Sequence, residues 1–295
     1  MASTLLLRRR IRSVKNTHQI TRAMELVSAA KMKKSQQAVL ATRPYAHAAW
    51  KLLERLAPMI HPDQHPLLRY TETPKSITLI VFSSNRGLCG SFNTNIGALV
   101  AKRLKELREQ FPQAPVSCIT VGKKIRDQLK KRGVHIIADI PKPESAITTA
   151  DIRSIVHIIR EAYVKQESDK VEILYTDFVS LLQQKPTVFN ILPMPSLANL
   201  NNKNHLDTID RDYLLEPNPD TLVEAILPKL LELELYQALL ESNASEHSAR
   251  RMTMKNATDA ASDIIDDLQQ IYNQQRQAKI TQEIAEIATA AAVMA

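Results

Sequence analysis

Apolar positions recur at three- and four-residue steps at both ends of this chain. Near the amino terminus the steps run through Ile11, Val14, His18, Thr21, Met24, Ser28 and Met32, and Ile20, Ala23, Val27 and Ala30 widen the stripe. That spacing predicts a helix with one packing face, and its small residues predict close approach of a second helix. Pro44 punctuates the pattern without ending it, because helical spacing resumes over 45–56 before Pro58, Pro62 and Pro66 mark a loop. Beyond Pro228 the pattern is helical throughout. Ile264, Leu268, Ile271, Gln275 and Ala278 predict a coiled-coil seam, continued by Ile280, Ile284, Ile287, Ala291 and Met294.

The middle alternates between two periods. SITLIVF over 76–82 reads as a buried strand, followed by a glycine-containing turn over 83–93 and an amphipathic helix over 93–109. Strands are then expected at 116–121, 134–138 and 171–175, with helices over 122–132 and 149–164 between them. An edge strand is expected at 187–192, and a loop-rich stretch over 193–219. Alternation of this kind predicts a small, mainly parallel sheet covered by helices.

All five glycines, Gly87, Gly90, Gly97, Gly122 and Gly133, fall in that middle, and no Gly or Pro precedes Pro44 or follows Pro228. Residues 1–43 would span ~65 Å as one helix and residues 229–295 ~100 Å. Helices of that length need a partner along their length, and each is the other's obvious one. The organisation expected is a helix over 1–57, an α/β domain over 74–195, a loop or foot segment over 196–218 and a second helix over 219–295. It favours a mechanical or scaffolding role over a self-contained enzyme.

Charge sharpens the pairing. Residues 1–43 hold ten basic residues against Glu25 alone, whereas from Lys229 onward ten acidic residues face six basic ones. Such an asymmetry steers the two helices together, though each exposed pair adds only ~0.2 to 1 kcal/mol. Aromatic residues make up 4% of the chain, with Trp50 the one tryptophan, which suits helix-on-helix packing.

Candidate chemistry is thin. The turn around Arg86, Gly87, Cys89 and Gly90 sits where an α/β fold places a phosphate loop, but it matches neither GxxxxGK[ST] nor GxGxxG. Cys89 has no local base, and with Cys118 it reads as a buried thiol of a reducing compartment. His61 and His65 have i, i+4 spacing, but Pro62 and Pro66 forbid the helix that would align them as metal ligands. No nucleophile elbow frames a serine. The sequons at Asn243 and Asn256 are chance matches without a secretory route, and no apolar run reaches the ~20 residues of a membrane span. The basic amino terminus lacks the aromatic interleaving of a nucleic-acid module. No catalytic residue, cofactor or metal ligand is expected.

Three stretches together resemble one family, the gamma subunits of F-type ATP synthase. They are IRSVKNTHQITRAMELVSAAKM at 11–32 with Arg43-Pro44-Tyr45, SNRGLCGSFN at 84–93, and ESNASEHSARRMTMKNATD at 241–259 continuing into YNQQRQAKITQEIAEI at 272–287. They cover nearly the whole chain. The resemblance implies an antiparallel coiled coil of the two terminal helices with a central Rossmann-like α/β domain, a mixed α+β and α/β fold. It further implies a non-catalytic central rotor stalk inside a ring of three alpha and three beta subunits. The foot would stand on the membrane ring of c subunits beside epsilon, one copy per complex, at the cytoplasmic face of a bacterial inner membrane. By the same resemblance Met24, Arg250, Gln277, Thr281 and Glu283 would meet the beta subunits, and Tyr213 and Glu216 the c ring.

Departures from the family pattern are Asn85 where Asp is usual, Ser91 where a second Gly is usual, and Ala290 in place of Gly. The last adds ~1 kcal/mol of helix propensity, which implies a stiffer tip. No cysteine-bearing insert is present, so thiol regulation is not expected, and the motif starts too early for a transit peptide. The alternatives are an α/β enzyme with helical arms, which would bind a nucleotide by itself, and a nucleic-acid scaffold, whose binding would collapse with salt.

Overall fold

The computed structural model describes residues 4–56, 65–143, 147–194 and 218–294. Its elements are α1 (Thr4–Leu56), a 3-10 turn (Pro66–Leu68), β1 (Ile77–Phe82), α2 (Phe92–Gln110), β2 (Val116–Val121), α3 (Lys123–Lys131), β3 (His135–Ile140), α4 (Ala150–Val164), β4 (Lys170–Phe178), β5 (Gln184–Leu192) and α5 (Pro219–Met294). Two units emerge, Met1–Ala30 with Arg250–Ala295, and Lys31–Ala249.

In the unit that holds both termini, α1 and α5 run antiparallel. Arg8 donates to the Tyr272 hydroxyl at 2.7 Å, and the hydroxyls of Thr21 and Thr258 meet at 2.9 Å. The covered residues of α1 step through Leu7, Ile11, Val14, His18, Thr21, Glu25 and Ser28, close to the predicted seam, with Glu25 deeper than half-buried Met24. A buried polar pair such as Thr21 and Thr258 fixes register at some cost in stability.

Two expectations fail here. Ile20, Ala23, Val27 and Ala30 are exposed rather than part of the seam, because a contact between two helices covers only one narrow stripe. On α5 the covered residues are Met254, Thr258, Ala261, Ile265, Leu268, Tyr272 and Gln275. Leu268 and Gln275 were predicted, whereas Ile264, Ile271 and Ala278 lie outside the seam. Register there is set by small Ala261 and by Tyr272 turning its hydroxyl to Arg8.

The second unit is built on one sheet of order β3-β2-β1-β4-β5, parallel except for the β4–β5 hairpin. β1 is buried at every position and supplies both faces. Ile80 and Phe82 join α4 and residues 223–239 of α5, and Leu79 and Val81 join α2 and α3. Each such side chain contributes roughly 1.5 to 3 kcal/mol on burial. Gly122 caps α3 at φ 103°, where a Cβ would lie 2.5 Å from the Ser83 carbonyl oxygen, so the ends of β1 and β2 close up only around a glycine.

Ion pairs pin the helices to the sheet. Arg103 of α2 holds buried Glu172 of β4 with two hydrogen bonds, of 2.8 and 2.7 Å, while Lys170 sits 2.9 Å away. Burial alone would raise the Glu172 carboxyl, but the bonds from Arg103 and Lys170 outweigh it and hold the carboxyl below its ordinary value. α5 begins at Pro219. Pro228 lies inside it and removes one ladder donor, in a stretch where buried Leu227 and Leu230 anchor the helix.

Candidate partner interface

An α/β sheet offers its ligand crevice beyond the carboxyl ends of its strands, where strand order reverses, which here is between β1 and β4. In this chain α5 crosses those ends. Ser245 donates to the Thr176 carbonyl of β4 at 3.1 Å, and Ser248 to the Leu181 carbonyl in the β4–β5 turn at 2.8 Å. Lys142, just after β3, pairs with Glu246 at 2.6 Å. The helix stands where a nucleotide would bind.

The glycine loop after β1 is likewise spent on structure. Ser84 N–H donates to the Asn93 side-chain oxygen at 3.2 Å, and the Asn93 amide donates to Cys89 Sγ at 3.0 Å. The hydrogen-bond partners of Cys89 are Ser84, the Arg86 carbonyl and Asn93, none of them a base. Cys118 is buried in the sheet, which pushes its thiol up to about 12. His65 accepts from the Leu67 N–H at the start of the 3-10 turn, and burial lowers its pKa against the opposing pull of Glu224. His61 lies outside the described residues. Among the described residues no cluster of metal-ligating side chains forms, and no helix is long and apolar enough to cross a membrane.

The segment from 238 to 248 of α5 is buried at eleven consecutive positions, seven of them polar. A helix buried all round is ordinarily apolar. Here most of the polar groups are bonded instead, buried Ser242 excepted: Thr42 donates to Gln237 at 2.6 Å, Gln237 to Glu241 at 2.8 Å and Asn243 to Ser35 at 3.4 Å, besides the bonds to the sheet ends. The pairs to Thr42 and Ser35 also set α1 antiparallel to α5 within this unit.

In the unit with both termini, every side chain from 276 to 292 is exposed. Ile280, Ile284 and Ile287 are 47%, 61% and 70% exposed, still at steps of four and three. The continuation of the seam expected through Ile280, Ile284 and Ile287 is thus exposed. Ile20, Leu26 and Val27 of α1 are exposed as well. Exposed apolar residues in helical period mark a surface made for a partner. Leu26 was missed because it falls outside the seam stripe.

Of the residues singled out by sequence, Gln277, Thr281 and Glu283 lie on this bare stretch, and Glu283 pairs with Lys279 at 3.6 Å. Met24 is half-buried and Arg250 is buried, 9% exposed, in the same unit. Tyr213 and Glu216 lie outside the described residues.

Comparison with known proteins places these features in a family. A family profile described as ATP synthase matches residues 3–294. The ATP synthase gamma chain of Pelotomaculum thermopropionicum is 42% identical over 288 residues, 98% of each chain. That of Glaesserella parasuis is 38% identical over 296 residues, the whole of both. Among solved structures, a chain of the Euglena gracilis mitochondrial ATP synthase (OSCP/F1/c-ring) superposes with TM-score 0.68 at 22% identity, covering 99% of this chain and 94% of its own. A chain of the Tetrahymena thermophila mitochondrial ATP synthase central stalk and c ring gives 0.60 at 24%, covering 81% and 99%. At those identities the superpositions speak for the fold.

Proposed function

Because the chain belongs to the family of ATP synthase gamma chains, we propose that it is the rotor stalk that couples proton flow through a membrane c ring to ATP synthesis and hydrolysis at beta subunits. The observation that carries this reading is the bare helix over 276–292, whose isoleucines keep seam spacing with nothing among the described residues covering them. A surrounding ring of three alpha and three beta subunits supplies the cover.

The stalk has no active site of its own. It works through differential contact: one asymmetric rod cannot meet three equivalent subunits identically, so it biases each toward a different state and moves that bias round as it turns. Met24, Arg250, Gln277, Thr281 and Glu283 face the beta subunits. Tyr213 and Glu216 meet the c ring beside epsilon. One copy serves each complex, peripheral to the cytoplasmic face of a bacterial inner membrane.

The test is ATP hydrolysis by alpha and beta subunits of the same source, reconstituted with and without the chain. A complex holding a single copy, with activity restored by it, supports the reading. A chain that neither joins the complex nor changes its activity sinks it.

A further inference from the structure

We propose that Lys142, clamped by Asn85, is the key that stops α5 from turning within the α/β body, so that torque crosses between body and helix through the Lys142–Glu246 pair. The inference rests on the rotor reading above and names where that rotor is gripped.

Much of the grip on α5 is apolar. From Val223 to Leu239 the helix packs on the sheet and α4 through leucines. That packing favours one rotation angle, because the opposite face carries exposed Glu224 and Lys229, but it supplies few directional bonds. Directional contacts in that stretch are few, Tyr236 donating to the Ile147 carbonyl at 3.2 Å, Thr42 to Gln237 at 2.6 Å and Arg153 lying 3.9 Å from Glu232, and they multiply over the next three turns. Ser245 and Ser248 give single neutral hydrogen bonds there. Lys142–Glu246 is different in kind: two full charges 2.6 Å apart, with side chains 3% and 8% exposed. Rotating α5 by one residue, about 100°, carries Glu246 away from Lys142 and leaves buried charge uncompensated. The pair therefore adds a directional, charged restraint to the rotation angle that the leucine packing already favours.

A lysine on a loop would ordinarily yield. This one is fixed at its backbone. The Asn85 amide donates to the Lys142 carbonyl at 2.8 Å, and the Asn85 side-chain oxygen accepts from the Lys142 N–H at 3.3 Å. Asn85 lies three residues beyond the end of β1, after fully buried Ser83 and Ser84, and the Lys142 ammonium lies 5.7 Å from the ring of Phe92 at the start of α2. The path from sheet to helix is thus β1, Asn85, Lys142, Glu246, with no flexible link. A carboxylate at position 85 would accept from the N–H but could not donate to the carbonyl, so the amide is what makes the clamp two-sided.

The experiment uses the whole complex in sealed membrane vesicles, with ATP hydrolysis and ATP-driven acidification measured on the same preparation. Lys142→Met and Glu246→Gln are expected to hydrolyse ATP within about two-fold of the parent while protons moved per ATP fall about five-fold or more, as loss of one partner of a buried pair implies. Exchange of the pair, Lys142→Glu with Glu246→Lys, is expected to recover at least about half of the lost coupling. Asn85→Asp keeps both charges and should lower coupling about two-fold. It carries the test if the single variants fail to assemble.

Single variants that assemble and pump at the parent ratio overturn the proposal, as does Asn85→Asp at the parent ratio where they do not assemble. Uncoupling that the exchange leaves unrepaired, together with a lowered melting temperature, also counts against it and marks a folding role. A parent complex that does not couple at all is a separate failure, of the rotor reading itself.

Discussion

Two stretches of α5 have opposite environments for similar amounts of polarity. Over 238–248 the helix is polar and wholly buried, with Asn243 bonded to α1, Glu246 to the loop after β3 and Ser245 to the end of β4, while the Ser242 hydroxyl has no hydrogen-bond partner among the described residues. Over 276–292 it carries isoleucines at seam spacing and is wholly exposed. Composition alone would have assigned the two environments the other way round. The buried stretch is specified by hydrogen-bond partners 67 to 208 residues away in sequence, whereas nothing among the described residues covers the bare stretch. A helix can therefore be fixed at one place and offered at another without any change in its backbone.

The contrast can be broken by substitution, and equilibrium urea denaturation of the full chain reads the first three outcomes. Leu239→Ala, at the buried stretch, should cost about 4 kcal/mol, since a fully covered leucine leaves a cavity behind. Denaturation with no shift in midpoint would mean the stretch is not packed as described.

Arg103→Met tests the body that holds this stretch and should cost about 3 kcal/mol at neutral pH, the low end for a broken buried pair because Lys170 stays beside Glu172. The sign of its pH dependence follows from Glu172. Its folded-state pKa is depressed, so in the window just below its ordinary value the unfolded chain binds more protons than the folded one. The stabilisation is present above the unfolded value and is lost as pH falls through the folded one. The parent should therefore lose stability through that acid window, and Arg103→Met should flatten this limb. An unchanged limb would show that the pair does not set it.

Ser245→Ala removes one neutral bond to the Thr176 carbonyl and should cost about 1 kcal/mol. Ile284→Ser, on the bare stretch, should shift stability by no more than about 0.5 kcal/mol. The same change should nevertheless weaken binding to an alpha–beta ring about ten-fold or more, read by titration of labelled chain, because an isoleucine buried in a partner contributes roughly 1.5 to 3 kcal/mol. A large loss of stability with intact binding would reverse the comparison.

Much of this was legible in the chain and some was not, for identifiable reasons. The element series came through because glycine and proline punctuate the middle and leave the ends free. β2 falls at the predicted bounds, and the other strands and helices of the body within about three residues. The seam of α1 was readable from Ile11 to Ser28. That of α5 slipped by one position because Ile264 and Ile265, and Ile271 and Tyr272, are adjacent apolar pairs, and only the facing helix decides which member is covered. The spacing read as helical throughout only beyond Pro228, because the rule for proline is local, while the leucines that carry the helix through it pack on the sheet.

The candidate interface divides similarly. Gln277, Thr281 and Glu283 were singled out by resemblance alone, and they lie exposed on the bare stretch. The buried polar stretch was legible only as a family motif, since Glu241, Ser245, Glu246 and Ser248 look locally like a solvated face. Asn85 read as a minor departure until the carbonyl and N–H of Lys142 were seen on either side of its amide.

The most direct test of the account is amide hydrogen exchange, followed by mass spectrometry, over residues 276–294 in the free chain and in the chain assembled with alpha and beta subunits. The account predicts rapid exchange in the free chain, consistent with a helix end that nothing covers, and strong protection on assembly, with residues 238–248 protected in both. Equal protection of 276–294 with and without the ring would contradict it, because the bare helix would then have no partner in the complex.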